Sequence, residues 1–167
     1  MSDELFDDPR LTTSGLFVEA FEGYTAHLDR VHAQHGLTGT DFDTLVRLAR
    51  SPGEHLRMTD LAAQTALSTS GMTRVIDRLE NRGMVRRVAC PGDRRSSLVE
   101  LTAAGRERLQ ADIPPLLEAI ERWLIRPIAP DQLPVFLDAL RAVRDTVRPG
   151  ATVGAEQNPS AMDASSA

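Results

Sequence analysis

The chain contains no lysine: all 19 of its basic residues are arginine. It has a single cysteine, Cys90, so an intrachain disulfide framework is impossible. No stretch approaches the roughly 20 consecutive apolar residues that a membrane-spanning helix needs. Residues 1–9 are acidic and lack the basic region followed by an apolar run that marks a secretory signal. The expectation is a cytoplasmic protein with no membrane partner. Enzymatic signatures are also missing. There is no G-x-x-x-x-G-K-[ST] phosphate loop, no H-E-x-x-H and no nucleophile–base arrangement. Neither a cofactor nor a metal is expected.

What is there begins with an uneven distribution of charge. The chain carries −5 overall, which by itself argues against a polyanionic partner. Residues 67–108 reverse that argument. They hold nine arginines against five acids, a surplus of four positive charges that leaves the rest of the chain at −9. An acidic body with one basic segment suits a protein that presents a single face to DNA. Arginine in particular pairs bidentately with phosphate and guanine. The 41% hydrophobic content is low for a compact globule, as an elongated or tailed molecule would show. Residues 1–10 and 149–167 are expected to be disordered, with residues 11–148 as the folded body.

Apolar spacing predicts a mainly α chain with a small β-hairpin. Leu16, Phe17, Ala20, Tyr24, Leu28 and Val31 mark a first helix over residues 11–35, closed by Gly36. Thr40 precedes a short second helix with Phe42, Leu45, Val46 and Leu48. Thr59 is the candidate cap of a third. Ser68 caps a fourth that runs to about Arg82, before Gly83. Two strands follow, residues 84–89 and 97–101, joined by a turn in which Pro91 and Gly92 fit the centre of a type II turn. Thr102 begins a long helix, which Pro114 and Pro115 are expected to interrupt and kink. A last helix covers residues 131–148. The order helix, turn, helix, hairpin is that of a winged helix-turn-helix, here over about residues 40–102.

The fourth helix carries the functional signal. Met72, Val75, Ile76 and Leu79 fall at i, i+3, i+4 and i+7 and define a buried face. The opposite face holds Ser70, Arg74, Asp77 and Asn81, flanked by Thr73 and Arg78. Small hydroxylated residues and one long arginine near the helix start are what a major-groove reading helix needs. Gly71 on the flank permits close approach. An ordinary amphipathic helix would show the same split between its faces, so the hairpin decides. Asp93, Arg94 and Arg95 put two arginines and an orienting acid at its tip, where the negative potential of a minor groove attracts arginine. Arg86 and Arg87 on the first strand are placed to reach the DNA backbone.

The ordered series Leu61-Ala62, Leu67 through Glu80, Gly83-Met84-Val85-Arg86-Arg87, Asp93-Arg94-Arg95-Ser96 and Leu101-Thr102-Ala103-Ala104-Gly105 resembles the MarR family of bacterial regulators. The resemblance spans roughly residues 11–148. It implies a winged helix-turn-helix domain with helical dimerisation arms at about 11–35 and 103–148. It also implies an obligate homodimer on a pseudo-palindromic operator, and in many members repression relieved by a small aromatic acid or phenol. Carried onto this chain, the reading helix is Ser68, Ser70, Gly71, Thr73, Arg74 and Arg78. The wing tip is Arg94 and Arg95, with Asp93 as the orienting acid. An effector pocket from Phe17, Phe21, Tyr24, His27 and Phe42 is the natural guess, although these residues suit a plain core equally well. Three alternatives stay open: a winged-helix module for protein contacts, a thiol sensor at Cys90, and a metal sensor at His32 and His35, three residues apart on one helix.

Overall fold

The computed structural model describes residues 3–90 and 93–152. A short helix α1 (Asp3–Phe6) leads into α2 (Pro9–Gln34), so the described part of the segment expected to be disordered over residues 1–10 is largely helical. The reason is local. Asp8 caps α2 by accepting from the Arg10 amide at 2.9 Å, and Pro9 fits the first helical position, where its missing N–H costs nothing. The C-cap is His35, followed by Gly36 at φ +67°.

Helix α3 (Gly39–Ala49) is capped by Thr38, one turn before the expected Phe42 stripe. Thr38 Oγ1 accepts from the Asp41 amide at 3.1 Å, and Asp41 Oδ2 accepts from the Thr38 amide at 3.0 Å. This reciprocal box sets the start ahead of Thr40. A 3-10 turn (Pro52–Glu54) and a three-residue strand β1 (His55–Arg57) follow. No sequence pattern announced β1. Helix α4 (Met58–Thr65) then starts without a side-chain cap. Thr59, the expected cap, lies inside the first turn and bonds Asp60 instead, at 3.4 Å. Ala66, at φ 55°, turns the chain into α5 (Thr69–Asn81).

Strands β2 (Val85–Cys90) and β3 (Asp93–Leu101) pair antiparallel, and β1 joins on the far side, giving the order β1-β3-β2. The register shifts at Ala89/Cys90, where a bulge puts Cys90 opposite Asp93. Asp93, Arg94 and Arg95 therefore belong to a strand, not to the turn where they were expected, because pairing extends further than the loose apolar alternation suggested. Pro91 and Gly92, read as the turn itself, lie outside the described residues.

Helix α6 (Ala103–Ile120) begins at Thr102, whose hydroxyl accepts from the Gly105 amide at 3.1 Å. It runs on through Pro114 and Pro115 and passes into a π-helical segment (Glu121–Ile125). The expected interruption does not occur: each proline removes one backbone donor, while Leu116 and Ala119 beyond them are buried and hold the helix in place. Helix α7 (Leu133–Val147) and a 3-10 turn (Pro149–Thr152) complete the described chain. That turn packs on α4, so the irregular tail expected from residue 149 opens with ordered structure. Residues 153–167, also expected to be tail, lie outside the described residues.

The core sits where α3, α4 and α5 meet the sheet. Leu45, Leu48, Leu61, Met72, Ile76, Leu79, Val85 and Val99 are fully buried there, and Leu109 of α6 joins them. Gly105 lets α6 close on this lobe. A Cβ there would lie 2.1 Å from the Met84 carbonyl oxygen and 2.8 Å from Leu101 Cδ1. The first of these is backbone and cannot yield. Gly105→Ala is therefore expected to destabilise the fold by about 1–3 kcal/mol, the usual cost of overpacking. A urea titration with an unchanged midpoint would contradict this account of the α6 junction.

Candidate nucleic-acid interface

Helix α5 is oriented by what it buries. Met72, Val75, Ile76 and Leu79 all face the core, as their spacing predicts. The opposite face is open, with Ser68, Ser70 and Arg74 exposed and Thr73 half-buried. Ser68 Oγ accepts from the Gly71 amide at 3.1 Å and lies 3.1 Å from Ser70 Oγ. Thr73 Oγ1 donates to the Thr69 carbonyl at 2.9 Å. The helix thus starts with a cluster of hydroxyls whose oxygens still have lone pairs to offer. Gly71 has a tighter local reason than expected. An added Cβ would lie 3.2 Å from Ser68 Oγ and 3.7 Å from Leu67 Cβ, so the absent side chain makes room for the cap.

The arginines divide into two groups. Arg78 is tied to Asp41 of α3, with Nε at 3.1 Å and Nη2 at 2.6 Å from Oδ1. Asp41 is only 1% exposed, and Arg82 approaches its other oxygen at 4.0 Å. Arg78, expected on the reading face, thus also ties α5 to α3, with its side chain still 42% exposed. Arg87 of β2 spans Asp77 and Glu80, bonding both carboxylates of α5. Burial opposes its charge, but the bonds to Asp77 and Glu80 outweigh that and raise its pKa. Arg86 points the other way, as alternation along a strand requires, and forks onto Glu100 at 2.9 and 2.8 Å. That hydrogen bonding holds the Glu100 carboxyl below its ordinary range. Arg86 is nonetheless well exposed.

Arg74 is different: it is exposed, and no acid engages it among the described residues. Arg57, beside the start of α4, is likewise exposed and without an acidic partner there. Sequence reading missed Arg57 because its three-residue strand leaves no periodicity to place it. Asp93, Arg94 and Arg95 have described backbones in β3, while their side chains, like the Cys90 thiol, lie outside the described residues.

The five residues grouped as an effector pocket make several separate ring contacts. Phe17 and Phe21 stack on each other at 6.5 Å on the open side of α2 and are more than half exposed. His27 stacks on Trp123 at 4.0 Å, while Phe42 stacks on His32 at 4.6 Å. Tyr24 is half-buried, and its burial raises its pKa. A 26-residue helix passes several neighbours in turn, so residues sharing its sequence pattern need not share a cavity. Of the two histidines read as a metal pair, His32 is held by a carboxylate. His32 is buried and its Nδ1 lies 2.6 Å from Asp112 Oδ2. Among the described residues no cluster of three or more metal-ligating side chains occurs, and no helix is long and apolar enough to cross a membrane.

Residues 35–96, which include α3 to β2, match the MarR family model. The chain is 32% identical, over 85% of its length and 96% of the other, to AbsC, a MarR family transcriptional regulator from Streptomyces coelicolor, with a TM-score of 0.80. It is 31% identical, over 83% of its length and 88% of the other, to Sco3205, a MarR family regulator of the same organism solved in complex with DNA, with a TM-score of 0.79. The uncharacterized HTH-type transcriptional regulator YkoM of Bacillus subtilis is 32% identical over 125 residues, 73% of this chain and 79% of YkoM.

The two arginine groups predict opposite mutational outcomes. Asp41→Ala removes a helix cap and strands Arg78, and is expected to cost about 2 kcal/mol or more. Arg74→Ala is expected to change stability by no more than about 0.5 kcal/mol. Thermal or urea melts that reverse this order would refute the division.

Proposed function

The chain belongs to the MarR family of transcriptional regulators, and from that premise we propose that it is a homodimeric, sequence-specific DNA-binding repressor released by a small-molecule effector. The observation that carries the DNA-reading part is the open face of α5, where Arg74 stands among exposed hydroxyls with no acidic partner among the described residues. The relative Sco3205 was solved with DNA. In the proposed complex the N-terminal turns of α5 enter a major groove. Ser68, Ser70 and Thr73 bond base edges or phosphates, and Arg74 pairs with a guanine. Arg94 and Arg95 reach the minor groove with Asp93 orienting one of them, and Arg86 is exposed enough to meet a phosphate.

Dimerisation is supported by apolar surface left exposed among the described residues. Helix α7 is 15 residues long, yet none of them is buried. Val135, Val143 and Val147 on it are at least half exposed, as are Leu11, Leu16, Phe17 and Phe21 on α2 and Leu117 on α6. An apolar surface of that extent marks an interaction site. A second copy, packed two-fold through these helices, covers it with matching residues. The two reading helices then address half-sites about one helical turn apart. Bound there, the dimer excludes other proteins from the same DNA. The effector is proposed to be a small aromatic acid or phenol, held between the dimer helices and the winged lobe.

Two measurements test this reading. Arg74→Ala should weaken operator binding by about 1–3 kcal/mol and relax discrimination at one base position. Equal losses on operator and random duplex would reduce Arg74 to a phosphate contact. Replacing Arg94 and Arg95 together by Ala should lower affinity and flatten its salt dependence, whereas an unaltered salt slope would remove the wing tip from the interface.

A further inference from the structure

The winged lobe (α3 to β3) is joined to the helical arm (α2, α6, α7) by more than its two covalent crossings. One attachment is a buried joint near the first crossing. Within the arm His32 of α2 bonds Asp112 of α6 at 2.6 Å, and its ring reaches the lobe by stacking on Phe42 of α3 at 4.6 Å; the start of α6 also closes on the lobe through Gly105 and Leu109. These contacts lie where α2 and α6 meet the lobe and do not by themselves hold α4.

A second attachment lies far along the sequence. Where α7 ends, Arg148 Nη2 donates to the Gln64 carbonyl at 2.9 Å. Arg47 Nη1 lies 3.4 Å from Gln64 Oε1 and 3.5 Å from the Ala151 carbonyl oxygen. Gly150 of the turn Pro149–Thr152 lies against α4: a Cβ there would stand in contact at 3.6 Å from the Ala63 carbonyl oxygen and 3.8 Å from Ala63 Cβ, so a longer side chain would press on α4. Gln64 is buried, and α4 leads within a few residues into the reading helix α5. Movement of α4 relative to the end of α7 must therefore break these contacts.

We infer that the Pro149–Thr152 turn, pinned to α4 through Arg148 and Arg47, is a strap that sets the angle of the reading lobe and hence the half-site spacing that the dimer accepts. This rests on the DNA-reading dimer proposed above. Arg148, Arg47 and Gly150 are positioning residues, remote in role from the bases themselves. With the strap closed, one separation of the two α5 helices dominates. With it open, the lobes swing and several spacings become acceptable, each half-site still being read by an unchanged α5 face.

The test uses full-length protein and a set of duplexes that carry identical half-sites at the preferred spacing and with one or two base pairs added or removed. Arg148→Ala is expected to shrink the affinity penalty for altered spacing about fivefold, the equivalent of one net hydrogen bond of about 1 kcal/mol. Its preference for correct over scrambled half-sites should stay at the wild-type value. Gly150→Leu, which wedges the turn from α4 without touching an arginine, should act in the same way. Arg148→Lys, which can still donate to the Gln64 carbonyl, should restore the wild-type spacing preference. An unchanged spacing penalty in both Arg148→Ala and Gly150→Leu overturns the strap, as does an equal loss of affinity on every spacing. If wild-type protein reads half-sites but shows no spacing preference, the dimeric reading itself fails and the strap falls with it.

Discussion

The Asp41 carboxylate is the contact on which the candidate interface depends. One oxygen closes the capping box that starts α3, and the other holds the Arg78 guanidinium of α5. With the side chain only 1% exposed, leaving it unpaired would carry a heavy desolvation cost. Arg78 is thereby drawn toward α3, and the rotation of α5 about its own axis is fixed by a bond as well as by the apolar stripe opposite. Arg74, one turn earlier, is exposed and meets no such acid among the described residues.

Arginine does all the cationic work in a chain without lysine, and the structure uses it in two ways. Arg78, Arg86 and Arg87 are spent on carboxylates that knit α3, α5 and the sheet together. Their planar forks suit this, because two donors meet two acceptors in a fixed plane. A charge surplus in a stretch of sequence is therefore larger than the charge that stretch offers to a ligand. The basic run over residues 67–108 points to the correct surface, but most of its described arginines are already occupied within the molecule.

That distinction explains what the sequence made legible. The buried face of α5, its Ser68 cap and the Thr102 cap of α6 are local features set by spacing and by one hydroxyl, and all appear where the pattern places them. The winged arrangement followed from their order. Contacts between distant residues left no local trace. Arg78 with Asp41 is separated by 37 positions and His32 with Asp112 by 80, so neither pairing could be read from local spacing. The prolines at 114 and 115 misled in the other direction. Local propensity argues for a break, yet the packing of Leu116 and Ala119 overrides it. Strand β1 is too short to show any period, and Arg57 was lost with it.

The measurement that bears most directly on the whole account is selection of bound sequences by the purified protein from a random duplex pool at near-physiological salt. Recovery of an inverted repeat, with half-sites about 10 base pairs apart centre to centre, is the expected result. It would show two copies of the α5 face reading DNA at once. Failure of any sequence to enrich, even at low salt and with candidate effectors removed by refolding, would contradict the assignment of that face to DNA.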